Sequence, residues 1–344
     1  MNRRLVIIII VLIIILSGVA GVLFWAVQKQ NQTPPPETSQ PVIEKVLDEI
    51  TISPVASFDG NAIWYFNAEG RLFRVNLDGS GISEFPLPQL DENRLRRILW
   101  PKTGSDFIAV TGSGGNEIKS FYDSVLKNYL KLPENIQSLD WLPDSKRVVY
   151  IWKSSDNVSQ QLVMADGDGS GYTPVKDVFW PDLIVKAGPD GKTVLMYRAT
   201  VPGETNKIYD INLDTGVIKT TLEAGKNTGA VWLPLGSKFI FAQRSVTAFP
   251  KLFLYDFITR QATDLDLSTN LDKITFDKDG KYLYAAVPKP DNSSDNFIRV
   301  DLATFQKETY FEPTESVHGV NLLMLGSQLY FVNSQDQKLY TISK

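Results

Sequence analysis

From about residue 53 to its end the chain alternates apolar and polar positions in short runs broken by Gly, Ser, Pro and Asp, the period-two pattern of half-buried strands. Seven of these runs resemble one another: FDGNAIWYF, PKTGSDFIAV, LPDSKRVVYI, GPDGKTVLMY, LPLGSKFIFA, DKDGKYLYAA and MLGSQLYFV. Each places an apolar residue before a tight turn and alternating β-formers after it. The turn residues are Gly60, Gly104, Ser145, Gly191, Gly236, Gly280 and Gly326, so successive steps are 44, 41, 46, 45, 44 and 46 residues. A period in the forties with four strands per unit predicts an all-β, seven-bladed β-propeller.

Residues 185–221 show one unit in full. Alternating runs are separated by turn clusters at PDGK, VPGETN and NLDTG, and with the inner strand they make four strands. Four positions before the turn residue stand Ala56, Trp100, Trp141, Ala187, Trp232, Phe276 and Leu322. This stripe reads as packing between blades, which bury both faces. The seventh unit supplies only three strands, so Val46–Ile52, of strand-like composition, is expected to complete it and close the ring.

Ahead of the repeats, Leu5–Val27 carries no charge. As a helix it would run roughly 34 Å, at about 1.5 Å per residue, enough for a hydrocarbon core of about 30 Å. Arg3 and Arg4 precede it and only Lys29 closely follows, which predicts a cytoplasmic N-terminus and an extracytoplasmic propeller in a single-pass cell-membrane protein. A cleaved signal peptide ending near Gly18 and Ala20 is the competing reading. The expected division is a cytoplasmic end (1–4), a transmembrane helix (5–27) in the lipid bilayer, a Pro-rich linker (28–44) and the propeller (45–344). Pro34–Pro36 make the linker a semi-rigid spacer.

A formal net charge of -4 offers no basic field for nucleic acid, and zero cysteines exclude disulfides and thiol chemistry. His318 is the only histidine, so a Ser-His-Asp relay could use no other, and a His-based metal triad is impossible. Its plain role is a hydrogen-bonded loop residue; the alternative is a ligand-facing or catalytic one. Asp166–Asp177 spaces its acids like a calcium loop, but its twelfth position is Asp, its flanks are strands and DGSG recurs at Asp78, so a hairpin turn is expected and no cofactor or metal is assigned. Arg94, Arg96 and Arg97 read as a solvated face that also borders the expected channel.

GPDGKTVLMY followed by IYDINLDTG, together with LFRVNLDGSG, resembles the repeats of TolB-type propellers, a WD40-like group related to the propellers of dipeptidyl peptidases. The resemblance covers residues 53–344. It implies a protein-binding or scaffolding propeller of the cell envelope. No G-x-S-x-G nucleophile elbow occurs in the sequence.

In such a ring, loops entering the inner strands share one end with loops joining second and third strands. That rim is expected to carry Arg97, Gln137, Asp182, Asn227, Asp272 and His318, with variable loops beginning at Thr111, Lys153, Val201, Ser245 and Pro288. The expected function is non-catalytic binding of an envelope or extracellular protein, peptide or glycan. The alternative is a propeller hydrolase or lyase using carboxylates such as Asp182 and Asp272 at the channel mouth.

Overall fold

The computed structural model describes residues 41–343 apart from 91–94, 114–115, 157, 199–204 and 245–248. Expectations for residues 1–40, the transmembrane helix and most of the linker, lie outside the described residues. Among the described residues no helix is long and apolar enough to cross a membrane.

Residues 42–343 form seven four-stranded antiparallel sheets. The inner strands of blades 1 to 7 are Ile52–Ala56, Leu95–Leu99, Ile136–Trp141, Leu183–Ala187, Asn227–Trp232, Ile274–Phe276 and Gly319–Leu325. Local chemistry sets the turns. Gly191 and Gly280 adopt φ of 68° and 65°, a conformation costly for a side chain. Ser145 holds the same station at φ 58°, and its hydroxyl accepts the Thr103 N–H of the preceding blade at 2.8 Å.

The hydrophobic core is divided into seven clusters, one per seam between neighbouring blades. Phe66, Phe107 and Tyr122 join blades 1 and 2, for example, and Ile63, Tyr65, Tyr330 and Leu339 join blade 7 to blade 1. Alternation along each strand sends side chains to both seams, which is why second strands such as Val148–Ile151 read as continuous apolar runs.

Polar bonds stitch the inner ring. The indole N–H groups of Trp100, Trp141 and Trp232 donate across seams to the carbonyls of Ser53 (2.8 Å), Leu99 (2.9 Å) and Lys186 (3.0 Å). These tryptophans are structural. A register slip between Ile52 and Val55 turns Ser53 to φ 49°, and its hydroxyl accepts Ile98 N–H at 3.0 Å. Ser138 and Asp140 do the same for Val185 and Ala187.

Closure corrects two expectations. The outer strand of blade 7 is Val42–Lys45, paired antiparallel with Tyr340–Ser343, rather than Val46–Ile52. Val46 and Leu47 instead end the ladder by donating to Leu339 O, and Leu47 plugs the seam between blades 7 and 1 at 2% exposure. The strand therefore takes in Val42–Glu44, which the sequence assigns to the linker. The long loop expected at Thr111 is also shorter, because its strands run to Ser113 and resume at Asn116.

Deleting residues 42–45 exposes the ladder edge of Lys338–Ser343 and opens the ring. The deletion is expected to lower the urea midpoint and broaden the single unfolding transition followed by circular dichroism; an unchanged transition would remove closure from the basis of stability.

Candidate functional site

Five of the six rim residues stand where an inner strand begins, and Arg97 lies at the middle of its own. Arg97 and Gln137 lie within the strands of blades 2 and 3, Asp182 and His318 immediately precede those of blades 4 and 7, and Asn227 opens that of blade 5. Asp272 sits in a single 3-10 turn, Leu271–Lys273, at the entry to blade 6. Arg97, Gln137, Asp182 and Asp272 are exposed. Among the described side chains no hydrogen bond or ion pair joins any two of the six.

What each residue touches differs around the rim. Arg96 and Arg97 both reach Glu117, at 3.4 and 3.1 Å, so the basic cluster is partly neutralised. Beside it, burial pulls the Lys119 ammonium below the usual lysine range, and Lys119 donates to Ile136 O at 2.9 Å. Gln137 borders an open polar cleft with Glu134, Asn135, Lys153, Ser154 and Ser155.

A buried polar cluster lies between blades 6 and 7 and includes two residues that sequence reading missed, Lys273 and Asp295. Asp295 is fully buried, and its Oδ2 accepts from Lys273 Nζ at 2.7 Å and from Gly319 N–H at 2.8 Å. Oδ1 has no protein hydrogen-bond partner and faces His318 Nδ1 at 3.7 Å. His318 itself is pinned through its backbone, donating to Asn333 Oδ1 and accepting from Ser334 N–H. Lys273 ends the 3-10 turn before the inner strand of blade 6 and Asp295 opens the third strand of that blade, Asp295–Asp301, 22 residues on, and the sequence between carries no pattern that would pair them.

This cluster fixes geometry more readily than it runs a reaction. Asp295 is sealed from solvent, and only the edges of His318 and Lys273, with side chains 17% and 10% exposed, reach it. Among the described residues no hydroxyl is hydrogen-bonded to its imidazole, as a nucleophile and base would be. A carboxylate of different character lies further along the inner strand of blade 3. Burial pushes Asp140 above the usual carboxylate range, against the opposing pull of Lys186 and of the Ala187 and Trp141 N–H groups.

The acidic segment Asp166–Asp177 is a turn and a strand. Asp168 caps Ser170 N–H, while Asp177 lies on the outer strand opposite Gln161 and accepts its amide at 2.8 Å. Asp166 and Gln161 are five residues apart on one strand, roughly 17 Å at about 3.3 Å per residue, so the first and twelfth positions cannot share an ion. Among the described residues no group of three or more His, Asp or Glu side chains is placed to hold a metal.

No family model and no curated protein matches the sequence. Solved structures do match in fold. TolB from Acinetobacter baumannii aligns at TM-score 0.50 and 13% identity over 88% of this chain and 65% of its own, so the chain spans about two thirds of TolB. An oligogalacturonate lyase from Vibrio parahaemolyticus aligns at TM-score 0.66 and 10% identity, covering 89% and 94% of the two chains. The β-propeller domain of the Trilobed protease from Pyrococcus furiosus, which has an open velcro topology, aligns at 0.58 and 14%, covering 86% and 93%. At such identities the likeness is one of fold.

Replacing Asp295 by Ala strands the Lys273 ammonium in a nearly sealed site. It should cost about 3–5 kcal/mol, whereas His318→Ala should stay within about 1 kcal/mol. Urea unfolding followed by tryptophan fluorescence measures both, and equal losses would contradict this division of roles.

Proposed function

We propose that this chain is a membrane-anchored, extracytoplasmic propeller that binds a protein, peptide or glycan across its rim without chemistry of its own. One observation carries the reading: the exposed polar side chains Arg97, Gln137, Asp182 and Asp272, of different character, stand toward one end of the inner strands of blades 2, 3, 4 and 6, on a ring packed through apolar seams. Such an arrangement presents a fixed pattern of donors and acceptors over a wide mouth, which suits recognition. The loop at 289–294 extends the same end. The uncharged run Leu5–Val27 supports the anchor. The likeness to TolB supports a binding role by analogy of fold.

A second reading has one specific observation behind it. Asp140 sits between inner strands with its carboxyl pushed upward by burial, the kind of perturbation found in general acids. An oligogalacturonate lyase among the structures of similar fold supports it by analogy of fold alone. The hydrogen bonds from Asp140 to the Ala187 and Trp141 N–H groups also give it a structural duty, stitching blade 3 to blade 4.

Affinity capture from the native membrane with the full chain tests the binding reading. Alanine substitutions at Asp182, Asp272 and His318 should together remove a reproducible partner while leaving the melting transition in place. Capture unchanged by all three would place recognition elsewhere on the molecule.

A further inference from the structure

The end of the ring opposite the rim gathers the turns joining first to second strands and third to fourth strands. Of the fifteen large apolar side chains exposed among the described residues, ten lie at this turn end and three at the rim. Their placement is periodic. Ile82, Val125, Tyr172, Val217, Ile258 and Phe305 stand in the third-to-fourth turns of blades 1 to 6, one blade after another. Val42 opens the outer strand at the same station of blade 7, and Phe58 and Leu235 add to the set from inner turns. Single exposed apolar residues are ordinary, but one at the same station of every blade makes a circle of apolar points around this end.

Turn geometry does not demand these residues. In blade 5 the Asp256 carboxylate accepts the N–H groups of Ile258 and Thr259, and in blade 2 Asp123 accepts those of Val125 and Leu126. The aspartate shapes the turn, so the side chain at its tip could be polar without loss. Lys102, Lys127, Lys146, Lys192 and Arg260 intersperse with more numerous turn aspartates, so this end carries no basic field that would select an anionic surface.

The path of the chain names an occupant. Val42 pairs with Ser343, the last residue of a strand descending from the rim, so the polypeptide enters the propeller at the turn end. The preceding residues include the uncharged run Leu5–Val27, and only residues 28–41 separate that run from the closing strand. Fully extended, they reach at most about 50 Å at about 3.3–3.6 Å per residue. We propose that the turn end faces the membrane and that its apolar ring rests in the interfacial zone of a zwitterionic bilayer, leaving the rim turned outward for its partner. This rests on the membrane-anchor reading. Tethering raises the local concentration of the ring at the surface, so shallow contacts that would not hold a free domain suffice.

The absence of cysteine makes single-site labelling clean. The full chain carrying Leu235→Cys, Ile258→Cys or Phe305→Cys at the turn end, or Val158→Cys or Phe179→Cys at the rim, is labelled with a nitrobenzoxadiazole fluorophore. Each is reconstituted in phosphatidylcholine nanodiscs with and without doxyl-labelled lipid. Turn-end labels should shift to the blue and be quenched, rim labels should not, and adding Val125→Asp should reduce the quenching of the Ile258→Cys label. Chains that co-elute with discs but show equal quenching at both ends, or none, overturn the orientation and leave the anchor standing. Chains that elute free of discs overturn both. A turn-end shift that follows protein concentration without lipid would make this end an interface between copies and overturn the lipid assignment.

Discussion

A blade of this propeller has no inside of its own. Its apolar side chains emerge from both faces of a four-stranded sheet and become buried only against the blades on either side, in seven separate clusters. The hydrophobic gain of any one seam therefore depends on a neighbour being in place, and the neighbour's on the next, until the circle meets itself where Val42–Lys45 pairs with Tyr340–Ser343. Tyr330 reinforces that junction by donating to Leu77 O of blade 1, and Tyr65 by donating to Glu49. A sheet ended at Lys338–Ser343 would leave an open ladder edge, which native proteins cover or close.

Rigidity at the centre gives the two ends different characters. Inner strands are bound to one another by indole, hydroxyl and carboxylate groups reaching across seams, so the residues at their entries are held at set positions. Between blades 6 and 7 this extends to charge: Lys273, Asp295 and the Gly319 N–H lock the approach to the last inner strand, with His318 at the edge of the lock. Burying such a pair is seldom a net source of stability, and its better-attested use is to specify one arrangement over others. The opposite end is built from Asp-capped turns whose tips are free to vary, yet they carry apolar residues around the whole ring.

The architecture was legible because propeller chemistry repeats in sequence: Gly or Ser at the positive-φ turn, an apolar residue four positions earlier, and Asp or Asn opening the next turn. The closing strand was misplaced because an outer strand is pressed on one face only. Val42–Lys45 shows a faint alternation, while Leu47 looks like a strand residue but serves as a plug. The rim positions followed from periodicity, whereas the Lys273 and Asp295 pairing did not. Lys273 closes the 3-10 turn before the first strand of blade 6 and Asp295 opens the third, so they meet across one intervening strand of the same sheet, and single-residue chemistry held no clue to that register.

Native-state hydrogen exchange read by mass spectrometry tests the closed ring most directly. If the seams stand or fall together, amides of Val42–Lys45 and Lys338–Ser343 exchange only through the global opening that also releases the inner strands, with the same dependence on denaturant. Exchange of the closing strand at low denaturant, while the inner strands of blades 1 and 7 remain protected, would show a ring that stands without its clasp and would contradict the dependence of every seam on closure.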